Sequence, residues 1–145
     1  MIRKVDHVIM AVKDVDRAVA DYGKILGLTL ENGQIRELPQ ARIGMLTVPN
    51  GARIEFVQRR AEDDGRHSRF LKEHGEGVMG LSIFVDDFDA ELERMKKNGI
   101  KFTVEEQNNL HKGYPFRMAW VAPAEAHGVW LEIVDAKALP PHLVK

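Results

Sequence analysis

The stretch His7-Val8-Ile9-Met10-Ala11-Val12-Lys13-Asp14 returns 73 positions later as Gly80-Leu81-Ser82-Ile83-Phe84-Val85-Asp86-Asp87. Both copies alternate apolar residues and end in an acidic turn, but a glycine stands at 80 where the first copy has His7. The same shift lays Asp16 over Asp89, and a shift of 77 lays Glu55 over Glu132, the difference falling on a few extra residues around 124–127. A duplication of this kind is severely constraining. Each copy is one supersecondary unit with an apolar face it cannot bury alone, so the two are expected to form one domain over 1–145.

Within the first copy, Val5 to Val12 reads as a strand, with Val8, Met10 and Val12 on one face and His7, Ile9 and Ala11 on the other. Asp14 is a helix N-cap, Val15 to Leu26 carries an apolar stripe at helical spacing (Val15, Ala18, Val19, Tyr22, Leu26), and Gly27 stops it. Leu28 to Leu30 is expected as a second strand, followed by an irregular loop from Asn32-Gly33 to Gln40. Arg42 to Val48 and Ala52 to Gln58 are two strands joined at Pro49-Asn50-Gly51, a tight-turn sequence. A charged link follows, with a short helix from His67 to His74. The second copy repeats the order: strand Gly80 to Val85, a helix with Phe88, Leu92 and Met95 on one stripe, then strands at Ile100 to Val104, Phe116 to Val121 and Val129 to Val134. The predicted fold is α+β: two βαβββ modules, about 3–58 and 77–135, with a linker at 59–76 and a tail at 136–145.

Composition narrows the function. Lys plus Arg number 21 against 22 for Asp plus Glu, so no excess positive charge points to nucleic acid or an anionic membrane. No uncharged stretch is long enough to span a bilayer, and the start of the chain, with Arg3, Lys4 and Asp6, has no apolar run of the secretory type. The expected location is the cytoplasm. The absence of cysteine removes disulfides, thiolate ligands and thiol nucleophiles together.

Several of these stretches carry a family resemblance. His7-Val8-Ile9-Met10-Ala11-Val12, Leu26-Gly27-Leu28, Ile54-Glu55-Phe56, Gly75-Glu76-Gly77 and Gly128-Val129-Trp130-Leu131-Glu132 resemble the vicinal oxygen chelate superfamily, which holds glyoxalase I, methylmalonyl-CoA epimerase, extradiol dioxygenases and drug-resistance proteins. The pattern is most similar to the epimerases. The resemblance implies a cupped, eight-stranded mixed sheet around a divalent metal (Zn²⁺, Ni²⁺, Mn²⁺, Fe²⁺ or Mg²⁺), and a homodimer. Its ligand positions, on the first and last strands of each module, fall on His7, Glu55, Gly80 and Glu132. Glycine cannot ligate, which leaves His7, Glu55 and Glu132. Met79-Gly80 stands where epimerases carry two histidines, and Gln40, near a position where they carry a glutamate base, cannot take a proton at neutral pH.

Strand alternation agrees with such a set. His7 opposes Val8 and Met10, Glu55 opposes Ile54 and Phe56, and Glu132 opposes Leu131 and Ile133, so all three belong to the face turned from the helices. One imidazole and two carboxylates suit a hard or borderline ion, which would polarise a substrate carbonyl while Glu55 and Glu132 move a proton. Arg53 and Arg117 are the candidate cationic partners should no ion be present, because two facing carboxylates repel. Ile9, Met45, Ser82, Phe84 and Arg117 are candidate pocket walls, with Trp130 beside them, and Gly80 would leave room for a water or a substrate oxygen.

The expected function is a glyoxalase- or epimerase-like lyase or isomerase acting on a small carbonyl, hydroxy-acid or acyl-thioester substrate. The alternative is a metal-free, drug-sequestering binding protein. An extradiol dioxygenase comes third, because with Gly80 the pattern is one histidine short. Gly75-x-Gly77-x-x-Gly80 matches the letters of a dinucleotide fingerprint but precedes a strand rather than a helix, and is rejected. His67 and His74 are expected on a solvated helix face, with His74 the substitute fourth ligand if one exists. His111, Tyr114 and His127 fall in expected loops, and Lys96-Lys97 is a solvated helix end.

Overall fold

A computed structural model of the chain describes residues 1–61, 63–111 and 113–145, and the side chains of all of these except 109–111. The chain is α+β. Its eight strands form a mixed sheet, and its contacts divide it into two compact units: residues 7–79, and residues 1–6 together with 80–145.

In the unit of residues 7–79, β1 (Ile2–Ala11) leads into α1 (Val15–Leu26). The helix starts where Asp14 accepts a hydrogen bond from the Arg17 N–H at 3.1 Å, satisfying one of the orphan donors of its first turn. It ends at Gly27, whose φ of 69° is accessible to glycine at little cost. β2 (Arg36–Glu37), β3 (Ala41–Thr47) and β4 (Arg53–Arg59) follow, in the order β2-β3-β4-β1. The β1–β4 pairing is parallel and the other two are antiparallel. α1 lies on one face, where Val12, Val15, Leu46 and Phe56 are buried and Met10, Val19, Tyr22 and Ile54 pack against them. That burial, about 1.5–3 kcal/mol for each large apolar side chain, fixes which face of the sheet is left for His7 and Glu55.

Two expectations here are corrected. Leu28 to Leu30 is not a strand: Leu30 makes one isolated bridge to Leu46, and both leucines pack into the α1 core. A short 3₁₀ turn, α-like but tighter, occupies Glu31–Gly33, with Asn32 and Gly33 at φ 57° and 71°, and β2 forms afterwards, inside the segment expected to be a loop. Arg59–Glu76 does contain a helix, α2 (Arg66–His74).

In the other unit the order repeats as β5 (Gly77–Val85), α3 (Phe88–Lys97), β6 (Thr103–His111), β7 (Tyr114–Val121) and β8 (Trp130–Asp135), with strand order β5-β8-β7-β6. Asp87 caps α3 by accepting from the Ala90 N–H at 3.1 Å, as Asp14 caps α1. Val85, Phe88, Met95, Ala119 and Val121 form its helix-side core. β6 differs from the expected strand. Ile100 and Phe102 pack against that core ahead of it, and β6 then runs through a polar stretch expected to be loop. An edge strand needs few apolar residues, so its composition does not announce it.

Register makes the duplication quantitative. In the first unit β1 pairs with β4 as His7↔Arg53 and Ile9↔Glu55; in the second, β5 pairs with β8 as Gly80↔Trp130 and Ser82↔Glu132. The shifts are again 73 (7 to 80, 9 to 82) and 77 (53 to 130, 55 to 132). A charge clamp is duplicated as well. Arg42 on β3 reaches Asp16 in the first turn of α1 at 2.6 Å, and Arg117 on β7 reaches Asp89 in the first turn of α3 at 2.7 Å. Among the described residues no helix is long and apolar enough to cross a membrane.

Candidate functional site

Alternation along three paired strands places two rows of side chains on the face of the first unit turned away from α1. One row is Thr47, Arg53 and His7; the next is Met45, Glu55 and Ile9. His7 and Arg53 are buried, at 8% and 9% exposure, and Ile9 is fully enclosed. His7 Nε2 stands 3.8 Å from Glu55 Oε2, a charge contact when the imidazole is protonated and longer than a hydrogen bond. Arg53 Nη1 donates to both carboxylate oxygens of Glu31 at 3.3 Å, and Thr47 Oγ1 donates to Glu31 Oε1 at 3.4 Å. Glu31 comes from the 3₁₀ turn, which the left-handed Asn32 and Gly33 fold back at that point.

The corresponding face of the second unit carries Ser82, Phe84, Met118, Trp120, Trp130, Glu132 and Val134. Ser82 Oγ donates to Glu132 Oε1 at 2.7 Å, and both residues are buried. A hydrogen bond to a buried carboxylate holds it in place. Trp120 and Trp130 meet edge to face, with centroids 6.1 Å apart, so the aromatic wall beside Glu132 is built from its own strand, β8, and the neighbouring β7.

Thus His7 and Glu55 are brought together in one unit, and Glu132 lies at the corresponding register position of the other. His7 and Glu55 make a two-donor pair, which alone is short of the three protein ligands of a catalytic metal site. Among the described residues no group of three or more His, Asp or Glu side chains is arranged to hold an ion.

Three expectations about the neighbours change. Arg117 is not a partner for the site carboxylates or a pocket wall. It lies on the helix side of its sheet, 2.7 Å from Asp89, 3.3 Å from Asp135 and with its guanidinium 4.8 Å from the Phe88 ring centroid. The Asp89 hydrogen bond, with the nearby Asp135 and Glu106 charges, raises its pKa further. Gly80 does not leave a space. A Cβ there would overlap the Trp130 carbonyl oxygen and lie 2.9 Å from Trp130 Cβ. His67 is half-buried rather than solvated, and its pKa is lowered to about 4, first by burial and then by the charges of Arg66 and Arg59.

The remaining candidates are placed as follows. His74 is exposed and stacks at 4.8 Å from Phe70, a surface pair. Tyr114 begins β7, His127 is exposed in a turn, and Gln40 is exposed ahead of β3. The side chain of His111 lies outside the described residues. The sequence reading missed the Arg53–Glu31 pair as such. Arg53 shares strand parity with Glu55 and could have been placed on its face, but no pattern in the chain brings Glu31 to it.

These features define the class: a duplicated βαβββ protein whose buried acid and imidazole groups lie on the sheet faces away from the helices. The profile of the Glyoxalase/Bleomycin resistance protein/Dioxygenase superfamily matches residues 6–117, and the chain belongs to that superfamily. Similar proteins include human mitochondrial methylmalonyl-CoA epimerase, 26% identical over 134 residues that cover 92% of this chain and 74% of the relative. Among solved structures, methylmalonyl-CoA epimerase from Mycobacterium tuberculosis superposes with a TM-score of 0.77 at 27% identity, covering 97% of this chain and 91% of that one. The fold is also shared by a Streptomyces coelicolor methylmalonyl-CoA epimerase variant in complex with 2-nitronate-propionyl-CoA (TM-score 0.76, 22% identity, 94% and 99% covered).

Proposed function

We propose that this protein is an isomerase of the epimerase kind, acting on the carbon next to the carbonyl of a small acyl thioester. The observation that carries the reading is the His7–Glu55 pair, its imidazole buried, with Glu55 at a register position whose counterpart in the second unit is the hydrogen-bonded Glu132. The similarity to methylmalonyl-CoA epimerases supports the reaction class and an acyl-CoA substrate. In the step we assign, with Glu55 and Glu132 as the candidate bases, a carboxylate removes the α-proton. The C–H electron pair moves through the carbon framework onto the carbonyl oxygen to give an enolate; the carboxylic acid so formed loses its proton to water, and water returns one to the opposite face of the carbon as the carbonyl re-forms, which inverts it. Ser82 holds Glu132 in position, and His7 stands beside Glu55 at 3.8 Å. His7 and Glu55 would contribute two donors to a divalent ion, which would supply Lewis-acid stabilisation of the enolate oxygen.

Methylmalonyl-CoA incubated with the protein in D₂O tests this. NMR should show exchange of the α-proton, and Glu55→Gln and Glu132→Gln should each slow it by about a hundredfold or more, the usual worth of a general base. No exchange with the wild-type protein, even after supplementation with Ni²⁺, Mn²⁺ or Zn²⁺, would sink the enzymatic reading. The glycine at 80 favours a second reading, a metal-free binding protein of the same superfamily. In that case both variants would bind a ligand as well as the wild type does.

A further inference from the structure

We infer that Arg53 is the residue that selects substrates bearing a carboxylate, and that Glu31 is its resting counter-ion, displaced when such a substrate binds. The inference rests on the epimerase reading for the reaction, but not for the binding. Three observations in the unit of residues 7–79 support it. First, Arg53 is buried at 9% exposure, so its guanidinium is kept largely from water and requires an anion. Second, it stands directly across from His7 and two residues before Glu55 on the same face, beside the groups assigned to the chemistry. Third, its contact with Glu31 is of the exchangeable kind. Nη1 faces both Glu31 oxygens at 3.3 Å, long for a charge-assisted hydrogen bond, which is shortest and firmest at about 2.7–2.9 Å.

Glu31 itself is built to move. It is half-buried, with 23% of its side chain exposed, and sits on a three-residue turn whose geometry depends on left-handed Asn32 and Gly33, with Thr47 a further partner at a marginal 3.4 Å. A carboxylate entering from a substrate would replace the Glu31 carboxylate like for like, with no net change in the charge facing Arg53. A neutral acyl group offers Arg53 only a carbonyl acceptor, which does not replace the charge of Glu31, and would leave the pair closed. Specificity would then come from a competition that only an anion can enter.

The experiment uses the full chain and malonate, with malonamide as the uncharged control, followed by calorimetry. Malonate should bind and malonamide should not. Glu31→Gln, which removes the competitor at a partly exposed position, should tighten malonate binding by roughly threefold to tenfold. Arg53→Gln should weaken it by roughly tenfold or more, and Arg53→Lys should restore part of the loss. A gain of affinity cannot come from misfolding, so Glu31→Gln decides the matter if the arginine variants are unstable. Unchanged or weaker malonate binding in Glu31→Gln would overturn the inference, as would equal binding of malonamide. If malonate binds as expected but α-proton exchange is absent, the epimerase reading fails and the carboxylate site stands. If exchange occurs and all three variants bind malonate alike, the reverse holds.

Discussion

Gly80 is the position where sequence and structure give opposite instructions, and Gly80→Ala tests which governs. Against the superfamily pattern, the glycine is a missing ligand that a larger residue could replace. In the structure it is a close approach between β5 and β8: Gly80 pairs with Trp130, and a Cβ at 80 would overlap the Trp130 carbonyl oxygen, with Trp130 Cβ at 2.9 Å and its carbonyl carbon at 3.0 Å. Carbon atoms in contact stand about 3.5–4.0 Å apart, so the β8 backbone would have to retreat by about 0.5–1 Å. It would do so inside a parallel ladder whose next pair on the same face, Ser82↔Glu132, carries the buried hydrogen bond.

Overpacking of this kind costs about 1–3 kcal/mol, and more where backbone rather than a side-chain tip must yield. Alanine recovers about 0.5–1 kcal/mol through the smaller entropy of its unfolded chain. The clash is with backbone and falls in the upper part of that range, so it outweighs the gain and leaves a net loss of about 1–2.5 kcal/mol, or about 2–10 °C in Tm for a chain of this size. Gly77→Ala is the internal control, since Gly77 is also on β5 and a Cβ there meets nothing within 4 Å. It should be neutral or slightly stabilising. Urea and thermal unfolding of both variants provide the measurement. A Gly80→Ala protein within about 0.5 kcal/mol of wild type would refute the reasoning. It would also reopen the view that a histidine could be restored there.

Other outcomes follow from the same geometry. Ser82→Ala removes the 2.7 Å hydrogen bond to buried Glu132 and should cost about 1–3 kcal/mol in urea unfolding, with a fall in kcat for α-proton exchange larger than any change in KM. Arg117→Ala should lower stability by about 1–2 kcal/mol, by breaking its bridge between Asp89 and Asp135, yet leave α-proton exchange within about twofold because it lies on the helix side. His67 carries a pH signature. Its folded pKa of about 4 lies below the ordinary 6.5, so the unfolded chain binds more protons between those values, and the stability gained from the neutral imidazole is complete above about pH 6.5 and lost as the pH falls from there to about 4. Unfolding at pH 7 and pH 4.5 should show a drop about 1–2 kcal/mol larger in wild type than in His67→Gln, and equal drops would show that burial does not govern this histidine.

How much of this was legible depended on how local the cause was. Asp14, Gly27 and the Val15, Val19, Tyr22 stripe specify α1 through caps and one apolar face, and the helix forms over the residues so marked. The hairpin at Pro49-Asn50-Gly51 is local in the same sense, with the Gly51 N–H donating to the Val48 carbonyl. β2 and β6 were not legible. Arg36 and Glu37 become a strand only because β3 offers them a free edge, and the polar run from Glu105 onward forms a strand only because β7 does the same. Leu28 and Leu30 looked like a strand because they alternate, but helix packing uses them instead.

The candidate site divides along the same line. Parity along a strand is set by the chain itself, so it could place His7, Glu55 and Glu132 on the faces turned from the helices, and the paired registers repeat at the shifts seen in the sequence. Distances between strands are not set that way. The repeat therefore suggested that Gly80 opened a space, whereas the Trp130 main chain fills it, and it offered Arg117 as a partner for acids on the other side of its sheet. The two arginines show the rule most directly. Arg117 and Arg53 looked equivalent as cations near an acid, but Arg117 has the parity of Asp135 and is spent on the Asp89 clamp, while Arg53 has the parity of Glu55. Only the second can act on anything bound beside Glu55. Its counter-ion then arrives from a turn that no periodicity describes, which is why a specificity element of this kind has to be read from contacts rather than from spacing.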